Sequence, residues 1–186
     1  FVIGDVCGKG VPAAIFMASS RSMIKAQAVS NPRPASVMPM ANRLIAQDAQ
    51  AGMFVTVLYG LYNTRTHVLS YTNAGHTRPL LLRPSTGCCS SLFDANLPMG
   101  MFEHIDFSHV EMELQPGDML LLYTDGINEA ENMDGKQFGM ENLARIALES
   151  SARSPIELIR AIIEDVTQFS EGQEQKDDIT LLIMQA

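Results

Sequence analysis

Apolar residues fall into two kinds of segment along the chain. Short runs rich in β-branched and aromatic residues are typical of strands, and Ala-, Met- and Lys-rich stretches with apolar positions three and four apart are typical of helices. The predicted strands are residues 1–5, 54–59, 67–73, 79–82, 104–114, 119–123 and 179–184. The predicted helices are residues 13–29, 36–49, 139–148 and 154–169.

Local signals mark where several of these elements begin and end. Pro12 fits the first position of a helix, where its missing N–H costs nothing. Ser154, with Pro155 after it and Glu157 three residues after it, forms the pattern of a capping box. Pro39 is expected in the first turn of its helix or at a kink. The stretch 85–91, with Ser, Thr, Gly and two Cys, is predicted to be a loop.

The order of the elements predicts the fold class. The helices come in two pairs, and short turns join the strands between them. This arrangement favours an α+β fold with mostly antiparallel sheets and the helices packed outside. The chain has 186 residues, shows no internal repeat and has no linker long enough to divide it, so residues 1–186 are predicted to form one domain. A chain of this length buries about 70% of its unfolded surface.

Charge and cysteine content narrow the classes of function. There are 13 Lys and Arg against 21 Asp and Glu, a formal charge of −8, and this acidic balance disfavours binding to nucleic acid. The three cysteines form a poor disulfide framework, which indicates a reducing, cytoplasmic compartment. No run approaches the roughly 20 apolar residues of a membrane helix. Because the chain opens without Met in an apolar run, it is expected to be part of a longer protein.

Acidic residues stand at the ends of three predicted buried strands. Asp5 ends the first strand, Asp125 follows strand 119–123, and Asp177 and Asp178 precede strand 179–184. Carboxylates placed in this way can converge at one edge of a sheet, where they would repel each other without a counterion. Oxygen ligands without nearby Cys or His indicate Mg²⁺ or Mn²⁺ rather than zinc.

Simpler interpretations of these acids stay open. Asp-Gly is a common turn dipeptide, and each of the motifs alone is more often a turn than a metal site. Asp178 could equally be a cap. The segment Gly4–Gly10 could also be a phosphate-binding loop, but only three residues separate Gly4 from Gly8, and Gly10 stands where that loop has Ser or Thr. Asp5 would also repel a bound phosphate, so nucleotide binding is disfavoured.

The motifs taken together resemble those of the metal-dependent PPM serine/threonine phosphatases, in their bacterial SpoIIE/RsbU-like branch. They occur in the family's order and span nearly the whole chain. They are Gly4-Asp5-Val6-Cys7-Gly8-Lys9-Gly10-Val11-Pro12-Ala13-Ala14, Asn73-Ala74-Gly75-His76, Leu97-Pro98-Met99-Gly100, Pro116-Gly117-Asp118, Tyr123-Thr124-Asp125-Gly126, Phe138-Gly139 and Asp177-Asp178-Ile179-Thr180.

The resemblance implies a four-layer α-β-β-α sandwich of two antiparallel sheets flanked by helix pairs, here lacking its N-terminal strand or strands. It also implies a site for two Mn²⁺ or Mg²⁺ ions. By this resemblance Asp5 bridges the metals, the carbonyl of Val6 is a ligand, and Asp125 and Asp177 complete one metal's shell. Asp177 matches the ligand position better than Asp178, although a shift of one residue stays open.

Further positions receive roles from the same resemblance. Gly126 lets the backbone turn close to the metals, and Gly8 is expected to do so beside the helix. Lys9 either meets the substrate phosphate or is a solvated loop lysine, and Asn73 is a supporting residue. Glu129 falls where some relatives hold an extra metal.

Two residues depart from the eukaryotic branch of the family. Cys7 stands where that branch has a His proposed as the acid for the leaving group, so a metal-bound water is expected in that role here. His76 stands where that branch has an Asp that holds an extra metal, and we expect it to be structural or a hydrogen-bond donor.

The implied function is hydrolysis of phosphoserine or phosphothreonine by water that two metals activate. The expected substrate is a phosphorylated regulatory protein, such as an anti-anti-sigma factor, in a bacterial signalling switch. An upstream sensor or receiver domain and a homodimer are further expectations. A family motif that would precede Phe1 supplies an acid to the second metal, so this chain is expected to bind one metal well and the other poorly. The alternative is a degenerate fold that binds a phosphoprotein without turnover.

Overall fold

The computed structural model describes residues 1–50, 52–93 and 96–186. Its strands are β1 (Val2–Val6), β2 (Val55–Asn63), β3 (Val68–Ala74), β4 (Leu80–Arg83), β5 (Cys88–Ser91), β6 (Val110–Glu113), β7 (Met119–Tyr123) and β8 (Leu181–Gln185). Its helices are α1 (Val11–Ser30), α2 (Pro34–Asp48), α3 (Asp125–Asn128), α4 (Gly139–Glu149) and α5 (Pro155–Phe169). The chain divides into two compact units, Phe1–His76 with Phe93–Leu114, and Thr77–Leu92 with Gln115–Ala186.

The first unit is an antiparallel sheet with two helices packed on it. Its strand order is β1-β2-β3-β6. Helices α1 and α2 pack against each other and against this sheet. Their buried apolar residues form one core with the inward side chains of β1, β2 and β3, and that core includes Phe16, Ile24, Met38, Ile45 and Val57. Burial of this apolar surface is the main force that holds the unit together.

The second unit repeats the plan with different elements. Its antiparallel sheet has the order β5-β4-β7-β8. Every residue of β7 is buried, as the continuous apolar run predicts. Helices α4 and α5 cover the sheet and share a core with it that includes Leu82, Leu121, Leu143, Leu158 and Ile162.

Several local predictions are confirmed. Pro12 lies in the first turn of α1, although the helix begins at Val11, two residues earlier than predicted. Ser154 caps α5, and its backbone N–H and its hydroxyl both donate hydrogen bonds to the Glu157 carboxylate, at 3.0 and 2.6 Å. These bonds stabilise the charged carboxylate and hold the pKa of Glu157 below its ordinary value. A tight turn follows β2, and in it the Asn63 side chain accepts hydrogen bonds from the backbone N–H groups of Arg65 and Thr66.

Other predictions are wrong in their boundaries or their type. The predicted loop at 85–91 contains β5, because Cys88–Ser91 pairs with β4 although its composition does not favour a strand. Only Val110–Glu113 of the predicted strand 104–114 pairs with another strand. The last strand begins at Leu181 rather than 179, and its side chains are half-buried rather than buried, because β8 forms an edge of its sheet.

Helix α2 starts two residues earlier than predicted. Pro34 occupies its first turn, and Pro39 lies inside the helix, past the first turn. Among the helices that the structure describes, none is both long and apolar enough to span a membrane.

Candidate functional site

The first unit presents Asp5 and Val6 at the end of β1, directly before an exposed glycine-containing loop. β1 pairs with β2, and Asp5 lies opposite Thr56. Gly4 allows this pairing to be close, because a Cβ there would lie 2.6 Å from the Thr56 carbonyl oxygen. The loop then passes through Gly8, at φ +97°, before α1 begins. Cys7 and Lys9 are exposed on this loop.

The Asn73–His76 segment forms a tight turn at the end of β3 in the same unit. The Asn73 side chain accepts a hydrogen bond from the His76 backbone N–H at 2.8 Å and donates one to the His76 carbonyl at 3.0 Å. Gly75 adopts φ +72° between them, a conformation that favours glycine. Asn73 and His76 are both buried. The predicted supporting residue Asn73 therefore shapes the turn that carries His76.

The second unit places Asp125 at the start of the single turn α3, with only Thr124 between it and β7. Thr124, the residue before Asp125, is buried and connects the start of α3 to the Asp178–Thr180 segment. Its hydroxyl donates to the Asp178 carbonyl at 2.8 Å and accepts from the Thr180 N–H at 2.9 Å. Its N–H donates to the Thr180 carbonyl at 3.1 Å. These bonds bring the two acidic motifs of this unit together.

Gly126 makes this approach possible. A Cβ at Gly126 would lie 3.0 Å from the Asp178 carbonyl carbon and 3.3 Å from the Asp177 carbonyl oxygen. The Asp178 N–H donates to the Asp177 carboxylate at 2.9 Å, which orients that carboxylate. Both Asp177 and Asp178 are exposed. The prediction that Gly126 lets the backbone turn closely is consistent with this packing.

Asp125 has a property that suits a cation ligand. Its Oδ1 atom is buried, and it has no hydrogen-bond partner among residues 1–50, 52–93 and 96–186. A buried carboxylate oxygen without a donor is costly. A hard divalent cation removes that cost, and carboxylate oxygens are the ligands that Mg²⁺ and Mn²⁺ prefer. The Asp125 carboxylate therefore fits such an ion.

The predicted ligands are divided between the units. Asp5 and Val6 belong to the first, and Asp125 and Asp177 belong to the second. Among residues 1–50, 52–93 and 96–186 the structure shows no group of three or more His, Cys, Asp or Glu side chains that could hold a metal ion. A site for two ions therefore stays a prediction.

Some residues around these positions carry no clear signal in the sequence. Lys176, which immediately precedes Asp177, forms an ion pair with Glu131. Gln175 donates a hydrogen bond to the Asp177 carbonyl at 2.8 Å. Thr124 could have been identified, because it lies inside the Tyr-Thr-Asp-Gly motif. Glu129 is exposed just after α3.

Tyr123 lies next to this turn but does not supply an acid or a base. Burial raises the pKa of its phenol to about 12, although the Arg78 guanidinium acts in the opposite direction. The phenol therefore stays protonated at neutral pH and donates a hydrogen bond to the Met140 sulfur at 2.8 Å. Its carbonyl accepts a hydrogen bond from the Thr77 hydroxyl. Tyr123 thus fixes the end of β7 from which Asp125 projects.

Comparison with known proteins decides the family. A family model described as "Stage II sporulation protein E (SpoIIE)" matches residues 1–186. The chain belongs to the SpoIIE family. The resemblance inferred from the motifs is therefore confirmed, and the match extends over the ranges of both structural units.

Relatives and solved structures agree with this assignment. The chain is 28% identical to the phosphoserine phosphatase RsbU of Bacillus subtilis over 98% of its own length and 54% of that protein. Its structure matches the SiaA-PP2C domain of Pseudomonas aeruginosa with a TM-score of 0.86 and 20% identity, covering 100% of this chain and 74% of that one. It matches RsbX in complex with magnesium with a TM-score of 0.67 and 16% identity, covering 98% and 78%.

These structural matches confirm the predicted fold class, an α+β fold with two antiparallel sheets and flanking helices, as in PP2C domains. The chain spans about half the length of RsbU.

Proposed function

We propose that this SpoIIE-family chain is a metal-dependent protein phosphatase that hydrolyses phosphoserine or phosphothreonine on a regulatory protein. The observation that carries the proposal is the packed turn of the second unit. There Asp125, with a buried carboxylate oxygen that lacks a donor, is hydrogen-bonded through its neighbour Thr124 to the Asp178–Thr180 segment. The similarity to the phosphoserine phosphatase RsbU supports the same substrate chemistry.

Two Mn²⁺ or Mg²⁺ ions would be held by the carboxylates of Asp5, Asp125 and Asp177 and by the carbonyl of Val6. When bound, such ions lower the pKa of water and offset the negative charge of a phosphoryl group. Magnesium in the related RsbX supports this choice of ion. Asp178 is the alternative to Asp177 as the ligand.

The chain's own residues would orient the ligands and the substrate. Thr124 and Gly126 hold the Asp125 turn against the backbone of residues 177–180. Gly8 gives the loop after the ligands a left-handed backbone. Lys9, exposed on that loop, would attract a phosphate dianion to an acidic protein. Cys7 is not expected to protonate the leaving oxygen.

The biological setting is part of the same proposal. We propose that the substrate is a phosphorylated regulator such as an anti-anti-sigma factor in a bacterial, cytoplasmic signalling switch. Residues 1–186 would then form the phosphatase domain of a longer protein with a sensor or receiver domain before it. A homodimer of such a protein is also proposed. The chain's formal charge of −8 supports a protein partner rather than a nucleic acid.

The competing function is a binding module that holds a phosphoprotein without hydrolysing it. The acids Asp5, Asp125 and Asp177 are all present, which favours the enzyme. If the second metal needs an acidic ligand from outside residues 1–186, the lack of that ligand would favour the binding module.

Replacing Asp125 by Asn separates the two functions. The chain is incubated with Mn²⁺ and a phosphoserine-containing protein, and both released phosphate and bound phosphoprotein are measured. The enzyme predicts turnover that falls at least about a hundredfold in Asp125→Asn, because a neutral amide is a poor ligand for Mn²⁺. Asp134→Asn is the matched control, since Asp134 is an exposed acid on the next loop. Phosphoprotein binding without any turnover by the unmodified chain would establish the binding module instead.

A further inference from the structure

His76 contacts an element that carries one of the proposed metal ligands. We propose that His76 is a positioning residue, which acts through Thr56 on the backbone at Asp5 and so sets the geometry of that carboxylate and of the Val6 carbonyl. The inference rests on the proposed function, because it concerns the metal ligands of that function. The inference goes beyond the proposed function because neither His76 nor Thr56 is a metal ligand in that proposal.

Thr56 is the link between the two residues. It lies opposite Asp5 in the β1–β2 pairing. Its Oγ1 atom donates a hydrogen bond to the Asp5 carbonyl at 3.3 Å and lies 2.9 Å from Nδ1 of His76. A side chain on β2 therefore contacts both the backbone of the ligand residue and a buried imidazole.

Hydrogen-bond accounting gives the form of the imidazole that the positioning role requires. A threonine hydroxyl has one hydrogen, and a carbonyl can only accept. When that hydrogen goes to the Asp5 carbonyl, the Thr56 oxygen accepts from Nδ1–H of His76. Both contacts are satisfied together only if Nδ1 of His76 carries the proton. The positioning role therefore requires that a neutral His76 be the Nδ1–H tautomer, which can be measured directly.

The fold holds His76 firmly in this position. Only 8% of the residue is exposed. The Asn73 side chain clamps both the N–H and the carbonyl of the His76 backbone, at 2.8 and 3.0 Å. Pro98 packs over the Gly75 backbone, where a Cβ would lie 2.6 Å from its Cγ. The imidazole therefore has little freedom to turn away from Thr56.

The anchoring extends to a loop of the same unit. Asn96 donates a hydrogen bond to the Asn73 carbonyl at 3.1 Å and accepts one from the Ser108 N–H at 2.8 Å. The chain of contacts thus runs from Ser108 through Asn96, Asn73 and His76 to Thr56. Buried polar groups are costly unless they are satisfied. A network of this kind at the end of β1 is consistent with precise placement of Asp5.

The same strand offers a matched control. The Tyr62 hydroxyl lies 2.8 Å from Nδ1 of His67, so it also makes a hydroxyl–imidazole hydrogen bond. Tyr62 is near the far end of β2, and Thr56 is next to its beginning. Removing either hydroxyl deletes the same type of bond, but only Thr56 contacts Asp5. Tyr62→Phe therefore reports the cost of losing such a bond without moving the proposed ligand.

The experiment compares Thr56→Val, Thr56→Ser, His76→Phe and Tyr62→Phe in the full 186-residue chain. Mn²⁺ affinity is measured by the electron paramagnetic resonance signal of free Mn²⁺, and thermal stability by circular dichroism. Removing residues that orient a metal ligand typically weakens metal binding about 10- to 100-fold. We expect at least about a tenfold loss in Thr56→Val and His76→Phe. Thr56→Ser, which keeps the hydroxyl, and Tyr62→Phe should bind Mn²⁺ as the unmodified chain does.

The double variant Thr56→Val/His76→Phe separates positioning from general destabilisation. If both residues act through one hydrogen bond, the double variant loses no more Mn²⁺ affinity than the worse single variant. Nitrogen NMR of the unmodified chain should show a proton on Nδ1 of His76. Variants that lower the melting temperature as Tyr62→Phe does, yet keep full Mn²⁺ affinity, overturn the inference. A proton on Nε2 instead of Nδ1 in neutral His76 also overturns it.

The experiment distinguishes failure of the positioning role from failure of the proposed phosphatase function. Weaker Mn²⁺ binding in Thr56→Val, together with no phosphoprotein hydrolysis by the unmodified chain, supports the positioning role and refutes phosphatase activity of residues 1–186 by themselves. Normal hydrolysis and unchanged Mn²⁺ binding in all variants refute the positioning role alone. An unmodified chain that binds no Mn²⁺ refutes the inference, because no bound ion then depends on Asp5.

Discussion

Replacing Gly126 by Ala tests whether close packing of the Asp125 turn is required for metal binding. The new Cβ would lie 3.0 Å from the Asp178 carbonyl carbon and 3.3 Å from the Asp177 carbonyl oxygen. Both atoms belong to the backbone, so no side chain can rotate to make room. The segment that carries Asp177 must therefore move away from Asp125.

The size of the effect follows from these distances. Carbon atoms in contact prefer separations of about 3.5–4.0 Å, so the backbone must move by at least about 0.5 Å. Forcing an extra methyl group into packed structure costs about 1–3 kcal/mol of unfolding free energy. Metal–ligand distances are tolerated within only about 0.2 Å. We therefore expect Gly126→Ala to weaken Mn²⁺ binding at least about tenfold, beyond its effect on stability.

The assay combines urea unfolding with Mn²⁺ titration of phosphate release, and Gly117→Ala is the control. Gly117 lies in the turn before β7, whereas Asp125 lies after that strand. It has φ +90° with no atom within 4 Å of its missing Cβ, so its substitution costs about 1–2 kcal/mol of backbone strain without a clash. Gly117→Ala should keep full Mn²⁺ affinity. A Gly126→Ala variant with unchanged stability and unchanged Mn²⁺ half-saturation would refute the reasoning.

Three further predictions concern the scaffold. Leu158→Ala should lower the unfolding free energy by about 2–5 kcal/mol in urea titrations, because this fully buried leucine leaves a cavity in the second unit's core. Asn42→Ala should cost at least about 1–3 kcal/mol in urea titrations and speed hydrogen exchange at the Gly100 amide, because its buried side chain makes three hydrogen bonds to the backbone of residues 100–103. Glu157→Gln should lower stability at neutral pH. The pKa of Glu157 is lower in the folded state than its ordinary value of 4.5. The charged carboxylate therefore stabilises the fold above that ordinary pKa, and the stabilisation is lost as the pH falls through the folded-state pKa. The melting temperatures of the two proteins should therefore converge in acid.

Elements with strong local signals were predictable from the sequence. Ser154 and Glu157 specify the start of α5 through bonds made within one turn. The continuous apolar run of β7 predicts a strand without exposed residues, and that strand is fully buried. In both cases the determining interactions are local or depend only on average hydrophobicity, so no knowledge of distant residues is needed.

Elements that depend on a partner strand were not predictable in the same way. Cys88–Ser91 becomes β5 because β4 offers its free edge for hydrogen bonding, whereas the composition of that segment favours a loop. Residues 104–109 have an alternating pattern, yet only Val110–Glu113 pairs with β3. Strand pairing joins residues that are far apart along the chain, and local propensity does not encode it.

The candidate site also combines features with local sequence signals and features that depend on contacts between distant residues. The sequence by itself identified the family and the acidic motifs at Asp5, Asp125 and Asp177, because each motif is a short run of residues with its own chemistry. Tertiary structure decided that Thr124 ties the Asp125 turn to the Asp178–Thr180 segment, and that Thr56 joins His76 to Asp5. These contacts connect residues 20 to 56 positions apart. Only folding of the sheets brings such residues within hydrogen-bond distance.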